Sequence, residues 1–166
     1  MLRKLATVVV LAGAVAVPAA APASPTHAKV MLRSTSLGRV LVDARGHTLY
    51  LFEADRIAKS ACYGQCAAVW PPYLTAGSPV AGPGVKAGLL RTAKRRDGKL
   101  QLVYAGHPLY FFSGDARAGQ VKGEDIEHFG GSWYVVGAAG KKIEPAPAPA
   151  GGTTTTPGYG GGGYGP

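Results

Sequence analysis

Cysteine is scarce in this chain, and basic side chains outnumber acidic ones: two cysteines, and eighteen Lys and Arg against nine Asp and Glu, in 166 residues. No G-x-S-x-G elbow, phosphate-cradling loop or H-E-x-x-H helix is present, so the familiar nucleophile, nucleotide and zinc-protease signatures are missing. The apolar run over residues 5–17 is too short for a comfortable bilayer span. The cysteines form C-x-x-x-C, not the redox C-x-x-C, and Ala67 stands where haem attachment needs a histidine.

Both ends look specialised. Arg3 and Lys4, then the apolar run, then an alanine-rich stretch predict a signal peptide over 1–28, with processing between about 23 and 28 at 21–23 or 26–28. This leader holds no cysteine for a lipid, so a protein without a transmembrane segment is expected after processing. Residues 144–166, rich in Pro, Ala, Thr and Gly, predict a disordered tail with little to bury. Between them lies roughly 115 residues, one modest domain over 29–143.

That domain repeats itself. G-H-T-L-Y-L-F-E-A-D at 46–55 returns as G-H-P-L-Y-F-F-S-G-D at 106–115. Internal similarity of this kind marks one supersecondary unit used twice, because a small β-unit cannot cover its apolar face alone. Strands are predicted over 30–34, 39–43 and 48–52 in the first copy (about 30–76), and over 89–94, 100–104 and 108–112 in the second (about 89–137). Gly38, Gly46, Gly98 and Gly106 mark the turns. Val40 and Val42, like Leu100 and Leu102, share one face at period two. The third strand is apolar on both faces, as expected of a central strand or of one covered on its second face by the segment that follows. A short helix is expected over 63–69, stopped by Pro71 and Pro72, and a further strand over 133–136. The fold class is therefore all-β: two tandem four-stranded β-meander repeats packed as one small barrel or sandwich, with one short helix.

Candidate chemistry is sparse. Export favours a local disulfide between Cys62 and Cys66, with free redox thiols or a metal site as alternatives. His47 and His107 are equivalent in the repeat, and a metal site there would draw a third ligand from His128, Glu124, Asp125 or Glu127. Histidines following a turn glycine, however, ordinarily face solvent. Asp55 and Asp115 suggest paired carboxylates for hydrolysis, yet an aspartate just past a strand end commonly accepts backbone N–H bonds. Tyr50, Phe52, Tyr110 and Phe112, with Trp70 and Trp133, fit a core better than a sugar-stacking platform. No catalytic residue, metal or cofactor is assigned.

The sharpest charge concentration is Arg91, Lys94, Arg95, Arg96 and Lys99. It suits anionic cell-wall polymer, a membrane surface or another exported protein, while nucleic acid is not a partner expected outside the cell. It equally suits a solvated hairpin whose charges keep an edge strand from pairing.

Y-L-F-E-A-D at 50–55 and Y-F-F-S-G-D at 110–115 both fit Y-x-[FWY]-x-x-D. With C-Y-G-Q-C-A-A-V-W-P-P and G-G-S-W-Y-V-V, the chain resembles the bacterial secreted-repeat family of predicted lipoproteins bearing that motif. The resemblance implies export and a repeated small domain, and brings no activity or cofactor. The expected function is a non-catalytic exported or cell-envelope module for binding or structure. The alternative is a metal-binding or redox-linked secreted protein using His47, His107 and the cysteine pair.

Overall fold

A computed structural model describes residues 27–144. The expected leader and tail lie outside the described residues, except His27, Ala28 and Glu144. In chain order the elements are β1 (Lys29–Thr35), β2 (Gly38–Val42), β3 (Tyr50–Phe52), α1 (Gln65–Val69), β4 (Leu74–Thr75), β5 (Val80–Ala81), a 3-10 turn (Ala87–Leu89), β6 (Leu90–Lys94), β7 (Leu100–Tyr104), β8 (His107–Pro108), β9 (Ile126–Glu127) and β10 (Ser132–Val135). The fold is mostly strand with little helix. The hydrogen-bonded strand orders are β2-β1-β5, β3-β10-β9 and β4-β7-β6, with β8 also on β7. Among the described residues these are three sheets, bridged to one another at Val40–Gly137, Tyr50–Tyr110 and Pro72–Tyr110, and no closed barrel.

The two copies build the same hairpins with their loops in opposite order. The β1–β2 loop has two residues, Ser36 and Leu37, and the turn after β2 has three, ending in Gly46 at φ 87°. In the second copy the three-residue loop comes first, Arg96 to Gly98 closed by Arg95 N–H to Lys99 O at 2.9 Å. The two-residue turn, Ala105 and Gly106 at φ 50° and 89°, comes second. Positive φ at both central residues matches the right-handed strand twist.

One residue gained and then lost leaves β7 slipped by one against the repeat alignment. Leu102, not Gln101, takes the place of Leu41. Leu41 and Leu102 lie in one apolar cluster, Val40 and Val42 in the other. The expected pairing of Val40 and Val42 with Leu100 and Leu102 is corrected accordingly, since a one-residue slip turns every side chain to the other face.

The third strands are central, as their two apolar faces predicted. Tyr50 and Tyr110 exchange backbone bonds, Tyr50 N–H to Tyr110 O at 2.9 Å and Tyr110 N–H to Tyr50 O at 3.0 Å. Leu49, Leu51 and Leu109 enter one cluster, and Tyr50, Phe52 and Tyr110 the other.

The fourth strands cross over. β10, after the second copy's core, pairs with β3 of the first, and Leu41 N–H reaches Val136 O at 2.7 Å. The corresponding first-copy segment pairs with the second: Tyr73 N–H to Leu109 O at 2.9 Å, and Leu102 N–H to Tyr73 O at 2.8 Å. Each unit lends its last strand to the other, so neither closes as a meander on itself. The helix before this strand is shorter than expected. It begins at Gln65, is clamped by the Cys62–Cys66 disulfide, and ends at Val69 with Trp70 as its cap, ahead of Pro71 and Pro72.

At the other edge β5 adds to β1 in parallel, and Ala28 is drawn into the core. Ala28 is buried, its O accepts Val80 N–H at 2.9 Å, and its N–H reaches Thr75 Oγ1 at 3.3 Å. Among the described residues no helix is long and apolar enough to cross a membrane.

Candidate functional site

The repeated motif meets its own copy across the approximate two-fold between the units. Tyr50 OH donates to Asp115 Oδ2 at 2.5 Å, and Tyr110 OH donates to Asp55 Oδ2 at 2.8 Å. The second carboxylate oxygens take backbone donors, Ala61 N–H on Asp55 Oδ1 at 2.7 Å and Lys122 N–H on Asp115 Oδ1 at 2.9 Å. Each aspartate is thus spent on internal bonds, and its two oxygens join a loop of its own unit to the core of the other.

Burial shifts the two tyrosines and Asp55. It pushes both tyrosine hydroxyls well above their ordinary range, which keeps them donors. It also raises Asp55 to about 6, against the opposing Ala61 and Tyr110 bonds and the Arg95 charge. An aromatic stack completes the symmetry. Phe52 lies on Trp133 at 4.1 Å, Trp133 on Trp70 at 4.0 Å, and Trp70 on Phe112 at 4.4 Å between ring centroids. Both tryptophans and both motif tyrosines are fully buried, so these aromatics are core and not an exposed platform.

The two repeat histidines line different cavities. His47 shares a cavity of about 270 Å³ with Asp43, Arg45, Thr48, Phe111, Phe112 and Asp115. His107 shares one of about 550 Å³ with Phe52, Glu53, Asp55, Lys141 and Lys142. Each cavity joins one copy's histidine to the other copy's motif aspartate. Contrary to the solvent-facing expectation, both rings are part-buried. His47 Nδ1 lies 3.3 Å from Asp43 Oδ2. Burial holds the His107 pKa below its ordinary value while it raises that of Asp55. An ion pair would shift the two the other way, so both are held toward their neutral forms.

The remaining candidate ligands are dispersed. His128 stacks on Phe129 at 3.9 Å, and its carbonyl accepts Trp133 Nε1–H at 3.1 Å. Glu124 Oε2 accepts Val135 N–H at 2.7 Å, Asp125 holds a positive φ of 54°, and Glu127 is exposed on β9. Among the described residues no group of three or more His, Cys, Asp or Glu side chains is placed to hold a metal.

The basic hairpin divides. β6 is a sheet edge, and Arg91, Lys94, Arg96 and Lys99 are exposed on it or its loop. Arg95 turns inward and is withdrawn from the anion-facing group: only 5% exposed, it donates to Gln101 Oε1 at 2.6 Å, Cys62 O at 2.8 Å and Ser60 Oγ at 2.9 Å. Its reason is structural, since Gln101 and the carbonyl beside the disulfide would otherwise lack a buried donor.

Above Arg95 sits Tyr63. The Arg95 and Arg96 guanidinium carbons lie 4.3 and 4.1 Å from its ring centroid, and its hydroxyl accepts Arg96 N–H at 3.1 Å. Beside it a cavity of about 540 Å³ is lined by Lys59, Ser60, Ala61, Tyr63, Lys94 and Arg96. Lys59 and Ser60 were not singled out in the sequence, because their approach to the hairpin is set by the disulfide-bearing loop and not by local pattern.

The repeat geometry bears on kinship. A family model described as a secreted repeat of unknown function matches residues 31–73 and 91–137. The chain belongs to this family. The first match ends at Tyr73, within a crossed strand whose pairing with β7 runs on through Thr75, and the second at Gly137, which bridges Val40 of the other unit. A secreted repeat works outside the cytoplasm, in the envelope or the extracellular space. No curated protein and no solved structure matches the chain.

Proposed function

We propose that this secreted repeat is a non-catalytic binding module of the cell envelope that engages anionic polymer through the β6–β7 hairpin. The observation that carries the reading is the cavity beside that hairpin: three cationic side chains and no carboxylate line it. The excess of basic over acidic residues supports it, because a net positive surface steers polyanions toward such a patch. The commitment of Asp55 and Asp115 to internal bonds supports a binding role over hydrolysis. The test is retention of the full secreted chain on immobilised anionic wall polymer at about 20 mM salt, where screening is weak. Wild type is retained and elutes earlier after Arg91, Lys94, Arg96 and Lys99 are all changed to Gln. Passage of wild type straight through the column would remove the reading.

A further inference from the structure

We infer that the cavity at Lys59, Lys94 and Arg96 is a seat for a phosphodiester group of a polyol-phosphate wall polymer. The inference rests on the polyanion reading above and names its ligand. Three cationic groups reach the cavity from two segments, Lys59 from the loop after β3, and Lys94 and Arg96 from the hairpin. None of the three has a carboxylate within 4.0 Å among the described residues, so their charge is not already neutralised.

The site is built on a fixed floor. Ser60 Oγ accepts from Arg95, Cys62 O accepts from Arg95, and Ala61 N–H is held by Asp55. The Cys62–Cys66 disulfide ties the same loop to α1. Tyr63 makes a wall, with the Arg96 guanidinium carbon 4.1 Å from its ring centroid. A guanidinium held against a ring keeps its edge donors free while its rotamers are restricted, which lowers the entropy lost on binding.

The donor set favours phosphate over carboxylate. Lysine is a point charge, and a tetrahedral phosphate accepts from several directions, whereas a carboxylate suits a coplanar arginine fork. The volume of about 540 Å³ admits a phosphodiester with its flanking polyol units. A bilayer surface fits less well. The large apolar side chains exposed among the described residues are Ile57, Val80 and Phe129, and none lines this cavity. Surface binding to lipid wants apolar insertion beside the charges.

The experiment titrates the full secreted chain at low salt with three probes: a glycerol-phosphate oligomer, a poly-glutamate of matched charge, and vesicles containing anionic phospholipid. Two variants are compared with wild type, the pocket triple Lys59→Gln, Lys94→Gln, Arg96→Gln, and a charge control Arg117→Gln, Lys122→Gln, Lys141→Gln at exposed cations away from the hairpin. The expected result is oligomer affinity reduced at least about tenfold by the pocket triple and under about threefold by the control, with poly-glutamate at least about tenfold weaker than the oligomer. Unchanged near-ultraviolet dichroism of the triple shows that the loss is not unfolding. Equal loss in both variants, equal binding of the two polymers, or preferential vesicle binding overturns the phosphodiester seat while the polyanion reading stands. Failure of wild type to bind any probe removes both.

Discussion

At the scale of single residues, the motif side chains act as fasteners between units. Tyr110 gives its hydroxyl hydrogen to a part-buried carboxylate of the other copy, and Tyr50 does the same in return. Tyr50→Phe and Tyr110→Phe should each cost about 1–3 kcal/mol, the usual worth of a bond to a charged acceptor left unpaired. Denaturant midpoints check this, and an equal cost in both would show that the two halves are bound by equivalent contacts. Asp55 adds a pH signature. Burial raises its folded pKa to about 6 from 3.8, so its stabilising contribution is complete below about pH 3.8 and is lost as pH rises through about 6. Relative to Asp55→Asn, wild type should therefore lose about 1–2 kcal/mol between pH 4 and pH 7, after allowing for its partial exposure. Unfolding free energies of the two proteins at several pH values measure it, and a flat difference would mean the carboxyl is not desolvated as described.

At the scale of elements, what the sequence disclosed depended on whether the information was local. The two-faced apolar pattern at 48–52 and 108–112 announced central strands, and the coincident glycines announced hairpins. The slip of β7 was not legible, because a loop residue gained before it is returned after it and the copies come back into alignment by His107. Nor was the crossing of the fourth strands, since periodicity tells which face a strand hides but not which unit supplies its neighbour. Arg95 was hidden among exposed cations, and only Gln101, Ser60 and the Cys62 carbonyl explain its inward turn. The same network sets the role of the disulfide. Its small loop should contribute about 2 kcal/mol by chain entropy. Cys62→Ser with Cys66→Ser should lower stability by about that amount, and amide exchange should quicken in 60–69 and the β6–β7 hairpin before the β1–β2 hairpin. Uniform quickening across both hairpins would contradict the local role.

At the scale of the molecule, two units that exchange their last strands behave as a covalent dimer of unequal halves. A fragment of residues 27–87 retains β4, which fits the absent β7, and lacks β10, which should cover Phe52 and Trp70. Neither it nor residues 88–144 should persist as a folded monomer. Mixed, they should assemble one to one and regain the near-ultraviolet signal of the tryptophan stack, which light scattering and dichroism would record. A folded monomeric half would show that strand exchange is not needed for stability.

The anchoring of Ala28 bears on the choice between the two expected processing sites. Its methyl group is packed inside, and its peptide groups hold Val80 and Thr75. A peptidase that severed the chain after this alanine would remove the first rung of the parallel ladder, whereas scission after Ala23 leaves the rung and a short lead before it. The N-terminal residue of the protein recovered outside the cell, read by intact mass, should accordingly be Ser24.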